Sequence, residues 1–121
     1  MKSWVAAVAD VAAIVLFAAI GRASHAEPSG LLGLLQTAWP FVAGWAVGAV
    51  IMRYWRRPTA LSTGLGVWIG GVAGGMVLRA LTGAGVQLSF VIVASIALAV
   101  LLLGWRLVHL LVARRRTPAR G

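Results

Sequence analysis

The 121-residue sequence contains no cysteine and only two carboxylates, Asp10 and Glu27. Without cysteine there is no disulfide framework and no thiolate metal site. One carboxylate lies inside an apolar run and the other in a polar connector, so they sit at different depths and cannot act together as general acid and base. No Ser/His/Asp grouping is present either, and the chain is read as non-enzymatic. Charge of any kind is scarce: charged residues make up 11% of the chain, against about 25% in soluble proteins. With 61% hydrophobic residues, there is too little polar sequence to cover a water-exposed surface or to build a second, soluble domain.

Apolar runs supply the remainder. Four of them, at about 4–21, 31–54, 61–82 and 86–113, each approach the ~20 residues that cross a ~30 Å hydrocarbon core as a helix. None alternates with a period of two, and 121 residues are too few for a membrane barrel. The expected fold is all-α: a polytopic membrane protein whose residues 1–113 form a compact four-transmembrane-helix bundle. Short turn-forming connectors separate the spans at 23–30, 55–60 and 83–85, and a basic, disordered tail at 114–121 completes the chain.

The formal charge of +9 falls at the ends of the apolar runs and is not interleaved with base-reading groups, which argues against a nucleic-acid partner. One side collects Lys2, Arg53, Arg56, Arg57, Arg114, Arg115, Arg116 and Arg120, and the other only Arg22 and Arg79. Basic residues accumulate on the untranslocated side, so both termini are expected in the cytoplasm and the chain in the cell (cytoplasmic) membrane. The basic side would rest on anionic lipids.

Asp10 is the carboxylate that a span must accommodate, at a cost of about 2.5–3.5 kcal/mol on insertion scales. Such residues face a bundle interior and take a partner. Asp10 lies eight positions inside Lys2, and Arg106 eight positions inside Arg114, which puts both roughly 12 Å from the same edge. The two are expected to pair. Ala6, Asp10, Ala13 and Phe17 on the first helix, and Ser95, Ala99, Leu102, Arg106 and His109 on the fourth, follow helical three- and four-residue steps. Small neighbours on these stripes would let the two helices approach closely. Exchanging the two charges should then partly restore what losing Asp10 costs.

Gly66, Gly70 and Gly74 form one stripe of the third span, Gly71 and Gly75 an adjacent one, and Gly44 and Gly48 a third on the second span. Small residues at four-residue spacing bring backbones together in lipid, either inside one chain or between the copies of a homodimer. They are not phosphate loops, because they lie within spans and no Lys-Ser/Thr follows. Arg22, Gln36, Thr37 and Arg79 converge near the outer face, with Gln87 and Ser89 opening the fourth span and Pro40 expected to kink the second. They could form a polar vestibule for a small anion or an anionic headgroup. Trp4, Trp39, Trp45, Trp55, Trp68 and Trp105 read as belt and packing residues, with Trp55 and Tyr54 at the cytoplasmic interface. His25 and His109 lie toward opposite faces and cannot share a metal or haem, so no metal site and no cofactor is expected. Lys2, the run 11–20 and Ser24-His25-Ala26 also fit a cleavable signal peptide. Asp10 is too deep for one, and the packing of the first helix favours its retention.

Asp10, Gly21-Arg22-Ala23-Ser24-His25, Thr37-Ala38-Trp39-Pro40-Phe41, Gly66-Val67-Trp68, Gly75-Met76-Val77-Leu78-Arg79, Phe90-Val91-Ile92-Val93-Ala94 and Gly104-Trp105-Arg106 follow in order along the chain. Together they resemble the uncharacterised bacterial membrane family known as domain of unknown function 3054. The resemblance runs from the first helix to Arg106 and implies a small multi-span membrane protein. It places Asp10, Arg22, His25, Thr37, Pro40, Arg79 and Arg106 on motif positions and supports an uncleaved first helix. It implies no activity. A rival to the non-enzymatic reading is a small dimeric proton- or ion-coupled transporter with Asp10 as the coupling carboxylate, by analogy with small multidrug exporters. The strong charge bias and the neutralising Arg106 count against it.

Overall fold

The computed structural model describes residues 1–24 and 30–116. Four helices account for almost all of them: α1 (Ser3–Ser24), α2 (Leu31–Ile51), α3 (Leu61–Leu81) and α4 (Leu88–Arg116). Each is long and apolar enough to cross a bilayer. The chain is thus a small all-α protein with four membrane-span helices. Helices are the form in which such segments satisfy their own backbone polar groups away from water.

The observed helices depart from the expected bounds at several ends: α1 runs on to Ser24 and α4 begins at Leu88. α2 stops at Ile51, three residues early, because the chain reverses there. α4 does not give way to a loose tail at Arg114 but runs on through Arg116. Its 29 residues extend about 44 Å at 1.5 Å per residue, longer than the hydrocarbon core is thick, so its last arginines lie beyond the apolar layer. α2 continues through Pro40, whose ring is buried. Residues 25–29, which include His25 and part of the cleavage pattern Ser24-His25-Ala26, and residues 117–121 lie outside the described residues.

Among the described residues each helix packs against two neighbours, α1 on α2 and α4, and α3 on α2 and α4, without close backbone approach across either diagonal. This is a four-membered ring with alternating helix directions. One end carries Lys2, the α2–α3 connector with Arg53, Arg56 and Arg57, and the C-terminal turns of α4. The other carries Arg22 and Arg79. The core along the ring axis is apolar and fully closed: Ile14, Phe41, Leu98 and Leu102 are each 0% exposed. Phe17, Phe41 and Phe90 form an aromatic triangle toward the Arg22/Arg79 end, with Phe17 edge-on to Phe41 at 5.4 Å. The inward stripe of α4 is Ala94, Leu98, Leu102 and Arg106, and that of α1 is Ala6, Asp10, Ile14, Phe17 and Ala18. Ser95, Ala99 and Ala13 sit beside these stripes and are only partly covered.

Candidate functional site

Asp10 and Arg106 meet. Both side chains are 0% exposed, and they form a bidentate pair, with Arg106 Nη1 donating to Asp10 Oδ1 at 2.8 Å and Nη2 to Oδ2 at 2.7 Å. Two parallel bonds are the strongest way to join these groups. Three further donors close on the carboxylate: Trp105 Nε1 on Oδ1 at 2.8 Å, Trp45 Nε1 on Oδ2 at 3.0 Å and the Tyr54 hydroxyl on Oδ2 at 2.8 Å. Arg106 is equally well matched. Nη1 also donates to Leu102 O at 2.9 Å, Nη2 to Tyr54 Oη at 3.2 Å and Nε to Pro58 O at 3.1 Å. All five guanidinium N–H groups therefore have an acceptor. Among the described residues no buried side-chain polar atom lacks a partner.

This network ties α1, α2, the α2–α3 connector and α4 at one level. Helix α3 contributes space: a Cβ on Gly64 would lie 2.8 Å from Arg106 Cδ, so the glycine lets the arginine stem pass. Trp105 and Tyr54 lie beside the guanidinium, with ring centroids 4.5 and 5.7 Å from Arg106 Cζ.

Tyr54 arrives by a backbone reversal. Met52 caps α2, and Arg53 follows in the left-handed region with φ 52°. Tyr54 N then donates to Ala49 O at 2.9 Å, and Arg53 N to Val50 O at 3.2 Å. This is a Schellman closure, which glycine usually makes and arginine makes here at a steric cost. The reversal folds Tyr54 back under α2, 5% exposed, against Ala49 and beside Trp45. The expectation that Tyr54 sits at the membrane interface is thus corrected, whereas its neighbour Trp55 is exposed. Burial, reinforced by the adjacent Asp10 carboxylate, pushes the Tyr54 phenol well above its ordinary range despite the opposing Arg106 charge.

The glycine stripes join α2 to α3, the most extensive helix contact in the molecule. A Cβ on Gly44 would strike Gly70 O and come within 3.1 Å of Gly74 Cα, and one on Gly48 would lie 2.8 Å from Gly66 O. On α3, Gly70 and Gly74 meet the backbone of Gly44 and Gly48, and Gly75 meets the Phe41 ring. Gly66 faces the Met52 side chain, and Gly71 makes only ordinary contacts with Phe41 and Trp45. The stripes are consumed inside one chain. By contrast, the α1–α4 contact is the slimmest of the four, and Arg106 spans it to reach Asp10.

At the opposite end of the ring lies a cavity of about 430 Å³. Arg22, Thr37, Arg79, Gln87 and Ser89 give it a polar mouth, and Phe17, Ala18, Phe90 and Val93 an apolar base. Arg22 Nη1 donates to Thr37 Oγ1 at 2.9 Å, and Thr37 Oγ1 in turn to Gly33 O at 3.1 Å. Arg79 reaches across the α3–α4 turn, Nε to Gly85 O at 3.2 Å and Nη2 to Ala84 O at 3.3 Å, with its guanidinium 4.4 Å from the Phe90 ring centroid. Three of the four expected vestibule residues line this cavity. Gln36 does not: it is exposed on α2, one position from Thr37, and a helix turns consecutive side chains about 100° apart.

The sequence reading missed Trp45, Tyr54, Trp105, Pro58 and Gly64 as members of the ion-pair site. Trp105 was within reach of sequence reasoning, because an indole N–H next to a buried arginine needs an acceptor at the same depth. Neither Pro58 O nor Gly64 carries a side-chain signal. Among the described residues no group of His, Cys, Asp and Glu side chains could hold a metal ion.

The model of a protein family described as a protein of unknown function, DUF3054, matches residues 7–109. No curated protein and no solved structure matches the chain. The matched stretch contains both members of the ion pair and all the residues that line the cavity.

Proposed function

The chain belongs to the DUF3054 family, a membership that brings no activity with it, and from the geometry of its own residues we propose a non-enzymatic protein of the cytoplasmic membrane that works by binding. Both termini face the cytoplasm, where Lys2, Arg53, Arg56, Arg57, Arg114 and Arg115, all exposed, rest on anionic lipid. Asp10 and Arg106 form a fixed lock.

The observation that carries this reading is the saturation of Asp10 by five donors at 0% exposure. A coupling carboxylate must trade its proton or cation with water from each side in turn. Here every lone pair is engaged, and Ile14, Phe41, Leu98 and Leu102 fill the axis between the pair and the far-end cavity. The glycine contacts that might have favoured a homodimer are used by α2 and α3 on each other.

Reconstitution into liposomes tests it. Asp10→Asn is expected to lower the yield and melting temperature of the folded protein, and the wild type to carry no proton flux above that of empty vesicles. If wild-type flux is present, and Asp10→Asn abolishes it while leaving the melting temperature unchanged, the coupled-transporter reading replaces this one.

A further inference from the structure

The far-end cavity combines three features that the lock does not use. The first is an unspent cation. Arg79 spends Nε and one Nη2 hydrogen on the carbonyls of Gly85 and Ala84, which leaves three of its five N–H groups without an acceptor among the described residues. Asp10, the carboxylate among those residues, is held by Arg106 at the other end of the molecule. The second is preorganisation. Two carbonyls and the face of Phe90 fix the guanidinium, so little side-chain freedom remains to be lost when an anion docks. The third is an amphiphilic profile: the hydroxyls and amide of Thr37, Ser89 and Gln87 lie at the mouth, and aromatic and aliphatic surface lies below.

A volume of about 430 Å³ falls within the roughly 300–1,000 Å³ of small-molecule sites. Along α4 the lining passes from Gln87 to Val93, a descent of about 9 Å. Val93 is 57% exposed on the outside of the bundle, so the apolar base opens sideways between α1 and α4, toward the hydrocarbon. A soluble anion has no use for that opening. An acyl chain does.

We propose that this cavity is a phosphate-oxyanion site centred on Arg79, with Ser89 and Gln87 as neutral partners, and that the anion it takes is the phosphodiester of an anionic lipid whose first methylenes lie on Phe17, Phe90 and Val93. Planar guanidinium forks match phosphate oxygens, and a site at the end of the spans stands at headgroup depth. The proposal gives a ligand class to the binding reading above. Its test leaves Asp10 untouched, so either can fail alone.

Native mass spectrometry of the full chain released from detergent, with phosphatidylglycerol or inorganic phosphate as the added probe, decides it. Three variants are compared with wild type: Arg79→Gln removes the cation. Gly21→Leu fills the cavity without altering charge, from a position where a Cβ meets nothing within 4 Å. Gly104→Leu makes the same change away from the cavity, where a Cβ also meets nothing within 4 Å. Wild type and Gly104→Leu are expected to retain one phosphatidylglycerol per chain, and Arg79→Gln and Gly21→Leu roughly tenfold less, for Arg79→Gln the size of one lost charge-assisted hydrogen bond. Failure of millimolar phosphate to displace the lipid supports the lipid source. Displacement keeps the oxyanion site but overturns the lipid assignment in favour of free phosphate. Should Arg79→Gln fold poorly because its turn is lost, Gly21→Leu decides alone: retention equal to wild type overturns the proposal.

Discussion

Tyr54 donates its hydroxyl hydrogen to Asp10 Oδ2 at 2.8 Å from a position three residues past the end of α2. The Tyr54 hydroxyl oxygen in turn accepts from Arg106 Nη2 at 3.2 Å. A side chain from a connector therefore completes an ion pair between two helices, and the α2–α3 turn belongs to the core as fully as the helices do. Three segments, α2, the connector and α4, lose a shared partner on α1 if the carboxylate is changed, which is why the pair organises the fold and not merely one helix contact.

Exchanging the charges is expected to fail as a rescue. In the chain with Asp10→Arg and Arg106→Asp, the indole N–H groups of Trp45 and Trp105 would face a guanidinium, and the carbonyls of Leu102 and Pro58 would face a carboxylate. The environment is polarised around each position, so reversal trades these four good bonds for like-to-like contacts. Asp10→Asn alone leaves a buried arginine uncompensated, a loss of about 3 kcal/mol or more where such pairs have been broken. Thermal unfolding in detergent should rank wild type above Asp10→Asn, with the exchanged chain no better than Asp10→Asn. Recovery of the wild-type midpoint by the exchange would show that pairing alone, without the surrounding donors, sets the stability.

Tyr54 is the single tyrosine of the sequence, so phenolate absorbance reports on it alone. Its ordinary titration near pH 10 should be absent from the folded protein, because burial and the Asp10 charge raise its pKa. An acid whose folded pKa is raised contributes stability that is full below the unfolded value and is lost as pH climbs toward the folded one. The melting temperature is therefore expected to fall above about pH 10 in wild type beyond any fall seen in Tyr54→Phe. At neutral pH, Tyr54→Phe should cost about 1.5–3 kcal/mol, the range for hydrogen bonds to charged groups. A phenol that titrates at its ordinary pH in the folded state would contradict the buried geometry.

The four helices and the Asp10–Arg106 match were legible because both follow from one-dimensional quantities: run length, and distance from a run's basic end. The α2–α3 glycine contact was legible as contact, though its use within one chain became plain only when Gly44 and Gly70 were seen to face each other. Tyr54 was not legible. An aromatic residue between a span and a pair of arginines reads as an interface anchor, and the reversal that buries it is made by Arg53, where a glycine would have announced a helix end. Gln36 went the other way, because sharing a depth with Thr37 does not mean sharing a face.

Arg53→Gly tests whether the reversal is under strain. A non-glycine residue in the left-handed helical region costs about 1–2 kcal/mol, partly offset in the glycine variant by the greater freedom of its unfolded chain. A net gain of up to about 1 kcal/mol is expected, visible as a higher melting temperature. Arg53→Val should lower it, because a β-branched residue tolerates positive φ least. A glycine variant less stable than wild type would mean that the Arg53 side chain contributes more than its backbone costs.

The two kinds of glycine in the helices should separate sharply on substitution by alanine. At Gly44 the added methyl would meet backbone atoms of Gly70, Gly74 and Gly75, and backbone cannot rotate aside as a side chain can. Helices α2 and α3 would have to part along their whole contact, for a loss of about 1–3 kcal/mol or more. At Gly21 and Gly104 nothing lies within 4 Å of the new Cβ, so alanine should be neutral or add up to about 1 kcal/mol from helix propensity. Because all three sites lie in membrane-span helices with the same chemical change, their difference isolates packing from propensity and from any effect on insertion. Equal unfolding midpoints for Gly44→Ala and Gly21→Ala would show that α2 and α3 can separate without penalty, and the tight backbone contact would then not be what holds that half of the ring together.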